Sequence, residues 1–279
     1  MPTALWTAVT KGDTQRVIDL IAQKVDLNTI EGDQKETPIA LAAMRGPFEI
    51  FKLLFDAGAD PSIRDRRDRG TALHSHLLFY IPNSYLNPNM EYIRLLCSVN
   101  LDINARDANG ETALVYATIA GYKKIAKFLL SQPNCEVNTV CSIGHTPLYI
   151  AVLDAELEIA ECLITHGADL DLLLRDDGRW GTLLHHCIFH HNARGLRFLL
   201  RQGADETLKD RNGRTPLEFA TNGRYRHAER VIAWELHTRK LRVLAFMFGT
   251  HNRLGELSWI RALDVNMVIN LIVRRYMRF

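Results

Sequence analysis

Gly144, His145, Thr146, Pro147, Leu148, Tyr149, Ile150 and Ala151 open a segment that closes on His166, Gly167, Ala168 and Asp169, and the rest of the chain varies this segment. Leu148, Ala151 and Val152 make the apolar face of a first helix. After a turn at residues 154–156, Ile159, Leu163 and Ile164 recur at helical spacing on a second. Pro147 falls in the first turn, where a missing N–H costs nothing, and Thr146 before it can cap. Gly167 follows the last apolar turn and suits a left-handed C-cap. The unit is a capped helix hairpin.

The opening returns at Thr37, Pro38, Ile39; at Thr71, Ala72, Leu73, His74; at Thr112, Ala113, Leu114; at Thr182, Leu183, Leu184, His185; and at Thr215, Pro216, Leu217. With Thr146 included, successive threonines are 34, 41, 34, 36 and 33 residues apart. The Gly-Ala-Asp closer returns at Gly58, Ala59, Asp60 and at Gly203, Ala204, Asp205. A period near 33 with a Thr-Pro-Leu-His-like start resembles the ankyrin repeat. The resemblance covers residues 1–238. It implies an all-α fold: an α-solenoid of about seven helix-turn-helix units with β-turn fingers, closed by C-terminal capping helices.

Composition agrees with a stacked core. Hydrophobic residues are 47% of 279, and a formal net charge of +2 gives no bulk argument for nucleic acid or an acidic membrane. The five cysteines (Cys97, Cys135, Cys141, Cys162, Cys187) are scattered and form no CxxC, which predicts free thiols in a reducing compartment. The N-terminus lacks a basic-then-apolar leader pattern, and no stretch reaches the length of a membrane span. The expectation is a soluble protein of the cytoplasm or another intracellular space, the nucleus included.

Residues 1–30 read as a degenerate N-terminal cap repeat, with Leu5, Ala8 and Val9 on one helix and Val17, Leu20 and Ile21 on the next, around a turn at Lys11, Gly12 and Asp13. Regular repeats open near Thr37, Thr71, Thr112, Thr146, Thr182 and Thr215. The connection before Thr71 carries Arg64, Asp65, Arg66, Arg67, Asp68 and Arg69. It reads either as a solvated, self-compensating charge run or as part of a binding finger. The long third interval places its surplus at residues 80–89, where Pro82, Pro88 and three asparagines cannot extend a helix. The second helix then resumes near Met90. This loop, with Tyr80 and Tyr85, is either a neutral insertion or a contact device.

The sixth repeat holds the densest polar cluster: His185, His186, Cys187, Ile188, Phe189, His190 and His191, after a finger with Arg179 and Trp180. His186 and His190 lie one helical turn apart, a separation able to chelate a metal. His185, however, falls on the motif histidine, which the resemblance ties to finger hydrogen bonding. The remainder is too sparse to specify a metal site, and a partner-contact patch is the stronger reading. The seventh repeat has a finger of Lys209, Asp210, Arg211, Asn212, Gly213 and Arg214, and its second helix runs from near His227 to about His237.

Residues 239–279 depart from the period and read as a helical cap or tail. Leu241 to Phe248 form an apolar run broken at Gly249, and Asp264 to about Met277 a further helix. The segment from Leu263 and Asp264 through Met267, Val268 and Ile272 is similar to the helical core of F-box-like tails, although Asp264 stands where a proline is usual. An adaptor for a ubiquitin ligase is therefore the alternative function.

No phosphate loop, nucleophile elbow, HExxH or kinase signature is present, and Asp107, Asp177 and Asp210 sit at finger positions suited to turn capping. No enzyme, metal or cofactor is expected. The resemblance implies a non-catalytic scaffold that binds another protein on the concave side. The residues implied from the fingers are Arg66, Arg67, Arg106, Asn109, Glu111, His145, Arg179, Trp180, Arg211 and Arg214, with His186 and His190 from a first helix. Basic residues dominate that set, so an acidic partner surface is expected, with no nucleic acid and no membrane insertion.

Overall fold

The computed structural model describes residues 3–32, 35–65, 69–80, 88–99 and 101–252, with residues 79–80 and 240–252 as backbone only. In chain order the elements are α1 (Ala4–Lys11), α2 (Thr14–Ala22), α3 (Pro38–Arg45), α4 (Phe48–Asp56), α5 (Ala72–Tyr80), α6 (Met90–Ser98), α7 (Ala113–Ile119), α8 (Lys123–Leu130), α9 (Pro147–Leu153) and α10 (Leu157–Thr165). They continue with β1 (Leu174–Asp176), β2 (Arg179–Gly181), α11 (Leu183–Phe189), α12 (Ala193–Gln202), α13 (Pro216–Asn222) and α14 (Arg226–Asn252).

The chain divides into two units, the first through Glu229 and the second from Arg230. In the first, α1–α12 pack as six helix pairs, and first helices meet first helices: α1 against α3, α3 against α5, α5 against α7, α7 against α9, and α11 against α13. Second helices do likewise, α2 against α4 and α8 against α10. This is the ankyrin-type solenoid that the period implied.

The sequence signals act as their chemistry suggests. Thr37, Thr112 and Thr146 cap their helices through the side-chain oxygen, and Thr182 and Thr215 do so within capping boxes closed by His185 and Glu218. Each such cap stabilises its helix by about 1 kcal/mol. The expected apolar faces are buried: Leu5, Ala8 and Val9 in the cap repeat, Leu148, Ala151 and Val152 in α9, and Ile159 and Leu163 in α10. In the Gly-Ala-Asp closer, Gly167 takes φ 90°. Ala168 then donates its N–H to Leu163 O at 3.0 Å and buries its methyl group.

The residue after that alanine, or after Cys135 in the fourth repeat, joins one repeat to its predecessor. Asp60 N–H donates to Asn28 Oδ1, Glu136 N–H to Asn104 Oδ1, Asp169 N–H to Asn138 Oδ1 and Asp205 N–H to Asp171 Oδ1, all at 2.8–2.9 Å. Each rung joins residues about one repeat apart along the chain and ties a closer to the repeat before it.

Two expectations are extended. The finger of the sixth repeat is a β-hairpin, with Leu174 opposite Gly181, Arg175 opposite Trp180 and Asp176 opposite Arg179. The 36-residue interval puts two extra residues into this finger, and Asp177 (φ 46°) with Gly178 (φ 76°) supplies the left-handed pair that a two-residue hairpin turn needs. Second, the helix expected to end near His237 continues as α14 to Asn252, through the boundary read at 238/239 and through Gly249. No proline interrupts it, and one interior glycine costs only about 1 kcal/mol. The break expected at Gly249 is absent as far as Asn252.

In the third repeat, α6 resumes at Met90 as expected, with Asn89 accepting from Glu91 N–H and with Ile93 and Leu96 buried. Arg66 and Arg67, the loop around Tyr85 and the F-box-like segment from Leu263 lie outside the described residues.

Candidate partner-binding site

The fingers are tight turns organised by a carboxylate or by backbone alone. Asp107 Oδ1 accepts from the N–H groups of Asn109 (2.9 Å) and Glu111 (2.8 Å), and its Oδ2 accepts from Tyr116 Oη at 2.5 Å. Asp210 repeats this with Asn212 and Arg214, both at 2.9 Å. Neighbouring fingers are bonded in a row: Ser142 N–H donates to Asn109 O (3.0 Å) and Arg211 N–H to Trp180 O (3.3 Å). Gly144 completes the row, since a Cβ there would stand 2.6 Å from Arg175 O.

In repeats three and six the motif histidine couples the first helix to the next finger. In repeat three, His74 Nδ1 meets its own capping Thr71, while Nε2 lies 3.3 Å from Glu111 O. In repeat six, His185 Nδ1 meets Thr182, and Nε2 lies 2.9 Å from Arg214 O. Burial lowers the pKa of both imidazoles, so each is held neutral.

Repeat five has Tyr149 in place of the histidine, and its hydroxyl donates to the next finger's Asp176 carboxylate. Three histidines face the same group. His145 Nε2 is 3.4 Å from Asp176 Oδ1, His190 Nε2 is 2.5 Å from Oδ2, and the buried His186 places Nδ1 3.8 Å away while Nε2 meets Leu174 O at 3.2 Å. His145 also stacks on Tyr149, with ring centroids 4.0 Å apart. Burial alone would raise the Asp176 carboxyl. The hydrogen bonds from Tyr149, His190 and His145 and the charge of His190 outweigh it and hold the pKa at about 2. Among the described residues no group of three or more His, Cys, Asp or Glu is arranged to hold a metal ion. The cluster fastens a finger.

The expected contact residues therefore fall into two sets. Arg106, Asn109, Arg179, Trp180, His190 and Arg211 are exposed. Four others are turned inward. His186 is 2% exposed, Glu111 sits against Tyr116 and Asp107 with its carboxyl pKa raised by burial, and His145 is engaged by Asp176 and Tyr149. Arg214 is bound to Asp210 Oδ2 through Nε (2.9 Å) and a terminal nitrogen (2.7 Å). For His186 this is a correction to the contact patch read from the sequence: helical spacing puts it on the face of α11 that packs beneath the finger. Asp177, read as a turn cap, instead points to solvent and pairs with Arg179 at 2.9 Å, and Asp176 takes the internal role.

Asp176 and Tyr149 were not legible as a pair, because their meeting depends on how repeats five and six stack. The Asp177-Gly178 dipeptide was the one available sign of a hairpin. Cys187 is buried and its thiol is pushed up by burial, which removes it as a nucleophile. Among the described residues no helix is long and apolar enough to cross a membrane.

This repeated finger-and-hairpin geometry defines the class, and comparison with known proteins agrees. The chain belongs to the ankyrin-repeat family: the family model for ankyrin repeats in three copies matches residues 67–141, 84–173 and 133–210, and that for a single ankyrin repeat matches 34–66. It is 28% identical over 220 residues to the ankyrin repeat protein YahD of Escherichia coli K12, covering 79% of this chain and 89% of that protein. It is 28% identical over 200 residues to the mouse B-cell lymphoma 3 protein homolog, covering 70% of this chain but 42% of that one. Its structure is similar to the crystal structure of the ankyrin repeat domain of Bcl-3, with a TM-score of 0.66 and 27% identity, covering 83% of this chain and 98% of the other.

Proposed function

We propose that the chain is a non-catalytic intracellular scaffold that binds a partner protein on the row of fingers and adjoining first helices of repeats four to seven. Ankyrin repeats in general serve as protein-interaction modules. The observation that carries the assignment here is Trp180, which stands 39% exposed on a rigid hairpin beside Arg179 and Arg211. A tryptophan held in the open by a pinned finger is the kind of side chain on which interface energy concentrates. On these fingers the exposed charges are the cations Arg106, Arg175, Arg179, Lys209 and Arg211 against Asp177, while Asp107, Glu111, Asp176 and Asp210 are turned inward, which favours an acidic partner surface.

Affinity capture with mass spectrometry tests this by comparing the intact chain with the triple variant Arg179→Ala, Trp180→Ala, Arg211→Ala. A partner that is captured by the first and lost by the second, at an unchanged Tm, supports the finger surface. Recovery of the same partners by both rejects it.

A further inference from the structure

Between the finger hairpin and the first helices of repeats six and seven lies an open groove of about 300 Å³. That is the lower limit for enclosing a drug-sized molecule, and it suits a side chain carried in on a longer segment. Trp180, Phe189, Phe219 and Tyr225 line it, and Phe219 and Tyr225 stack at 5.7 Å with their planes 7° apart. Two arginines lie over these rings. The Arg179 guanidinium is 3.9 Å from the Phe189 centroid, and that of Arg214 is 4.8 Å from Phe219. An aromatic wall capped by guanidinium planes favours an aromatic or large aliphatic guest.

The charges at the groove are unequally matched. Arg214 is neutralised by Asp210 and Arg179 meets Asp177. Arg211 is exposed, lies 5.9 Å from the Trp180 ring centroid, and pairs with no carboxylate among the described residues. Exposed Lys209 adds a second cation to the same finger. The finger backbone is fixed by Asp210 and by the bond from Arg211 N–H to Trp180 O, so Arg211 is presented on rigid chain.

We infer that this groove receives an extended acidic peptide segment of a partner protein, one aromatic or aliphatic side chain entering beside Trp180 while a neighbouring carboxylate meets Arg211. The inference rests on the scaffold reading above and narrows it to one place and one ligand chemistry.

The test selects a phage-displayed library of random peptides against the full chain. Enriched peptides are then titrated by fluorescence anisotropy against the wild type, Trp180→Ala, Arg211→Glu and the remote surface change Arg16→Glu. The expected peptides pair Asp or Glu with an aromatic or aliphatic residue. Trp180→Ala weakens them by about tenfold or more. Arg211→Glu weakens them by about as much at low salt and by less at high salt, and Arg16→Glu leaves them unchanged. Because the hydrogen bond to Trp180 O comes from the Arg211 backbone N–H, which Arg211→Glu retains, and the guanidinium lies at 5.9 Å from an exposed ring where a cation–π contact is weak, Arg211→Glu keeps a Tm close to wild type and remains informative if Trp180→Ala loosens the hairpin. Peptides without acidic bias, peptides indifferent to Arg211→Glu, or no enrichment at all would overturn the inference. The scaffold reading fails separately, when captured partners survive the triple variant.

Discussion

His190 Nε2 lies 2.5 Å from Asp176 Oδ2, so the residue that ends the first helix of repeat six clamps the finger that precedes that helix. Asp176 is also held by Tyr149 and His145 of repeat five, which makes one carboxylate the junction of two repeats. Its pKa of about 2 lies below the usual value of about 3.9, so it stabilises the fold by about 2 kcal/mol above pH 4. That contribution is lost as pH falls through about 2. Asp176→Asn should lower the Tm by several degrees at neutral pH, and in a pH series of thermal melts the gap from wild type should close toward pH 2.

His74 and His185 act in the same direction at a higher pH. Both are buried with lowered pKa, so the unfolded chain takes up protons that the folded chain refuses. Their stabilisation is complete above the unfolded value of about 6.5 and falls as pH drops below it. His185→Gln should flatten the stability profile between about pH 7 and pH 5, and cost about 1–3 kcal/mol at neutral pH by releasing Arg214 O and Thr182. Urea titrations at a series of pH values read both effects.

The closer rungs give an additivity test. Asn138 accepts from Asp169 N–H and donates to Gly167 O at 3.2 Å, and Asn104 accepts from Glu136 N–H and donates to Asn134 O at 2.7 Å. These bonds are exposed, so Asn138→Ala and Asn104→Ala should each cost about 0.5–1.5 kcal/mol, and the double variant should be additive within about 0.5 kcal/mol if the rungs act independently. A coupling well above that would show the rungs to be one cooperative element.

Gly144→Ala should separate finger five from the hairpin. The added Cβ would meet Arg175 O at 2.6 Å, at a backbone φ of 89°. A cost of about 1–3 kcal/mol is expected, with faster amide exchange at Arg175 and Trp180 while α9 remains protected. Unchanged exchange in the hairpin would show that the contact relaxes without consequence.

The repeat boundaries, the caps and the apolar faces were legible because each depends on neighbours a few residues away. Thr146 caps the helix that Pro147 starts, and Gly167 turns the chain for reasons internal to its own repeat. Of the expected contact residues, only the exposure of some was legible. Arg106, Trp180 and Arg211 are exposed as their finger positions implied, whereas His186 is buried and Arg214 is bound to Asp210. Helical spacing places His186 and His190 on one side of α11, but the height of the neighbouring finger decides which of them reaches solvent.

The sequence by itself determined an ankyrin solenoid, since period, cap and core face are local properties of a one-dimensional chain of like units. Only the tertiary structure decided that Asp176, Tyr149, His145 and His190 converge, and that Trp180, Phe189, Phe219 and Tyr225 share a groove. Those groups come from different repeats. Their distances are set by how one repeat stacks on the next, which no spacing within a single repeat encodes.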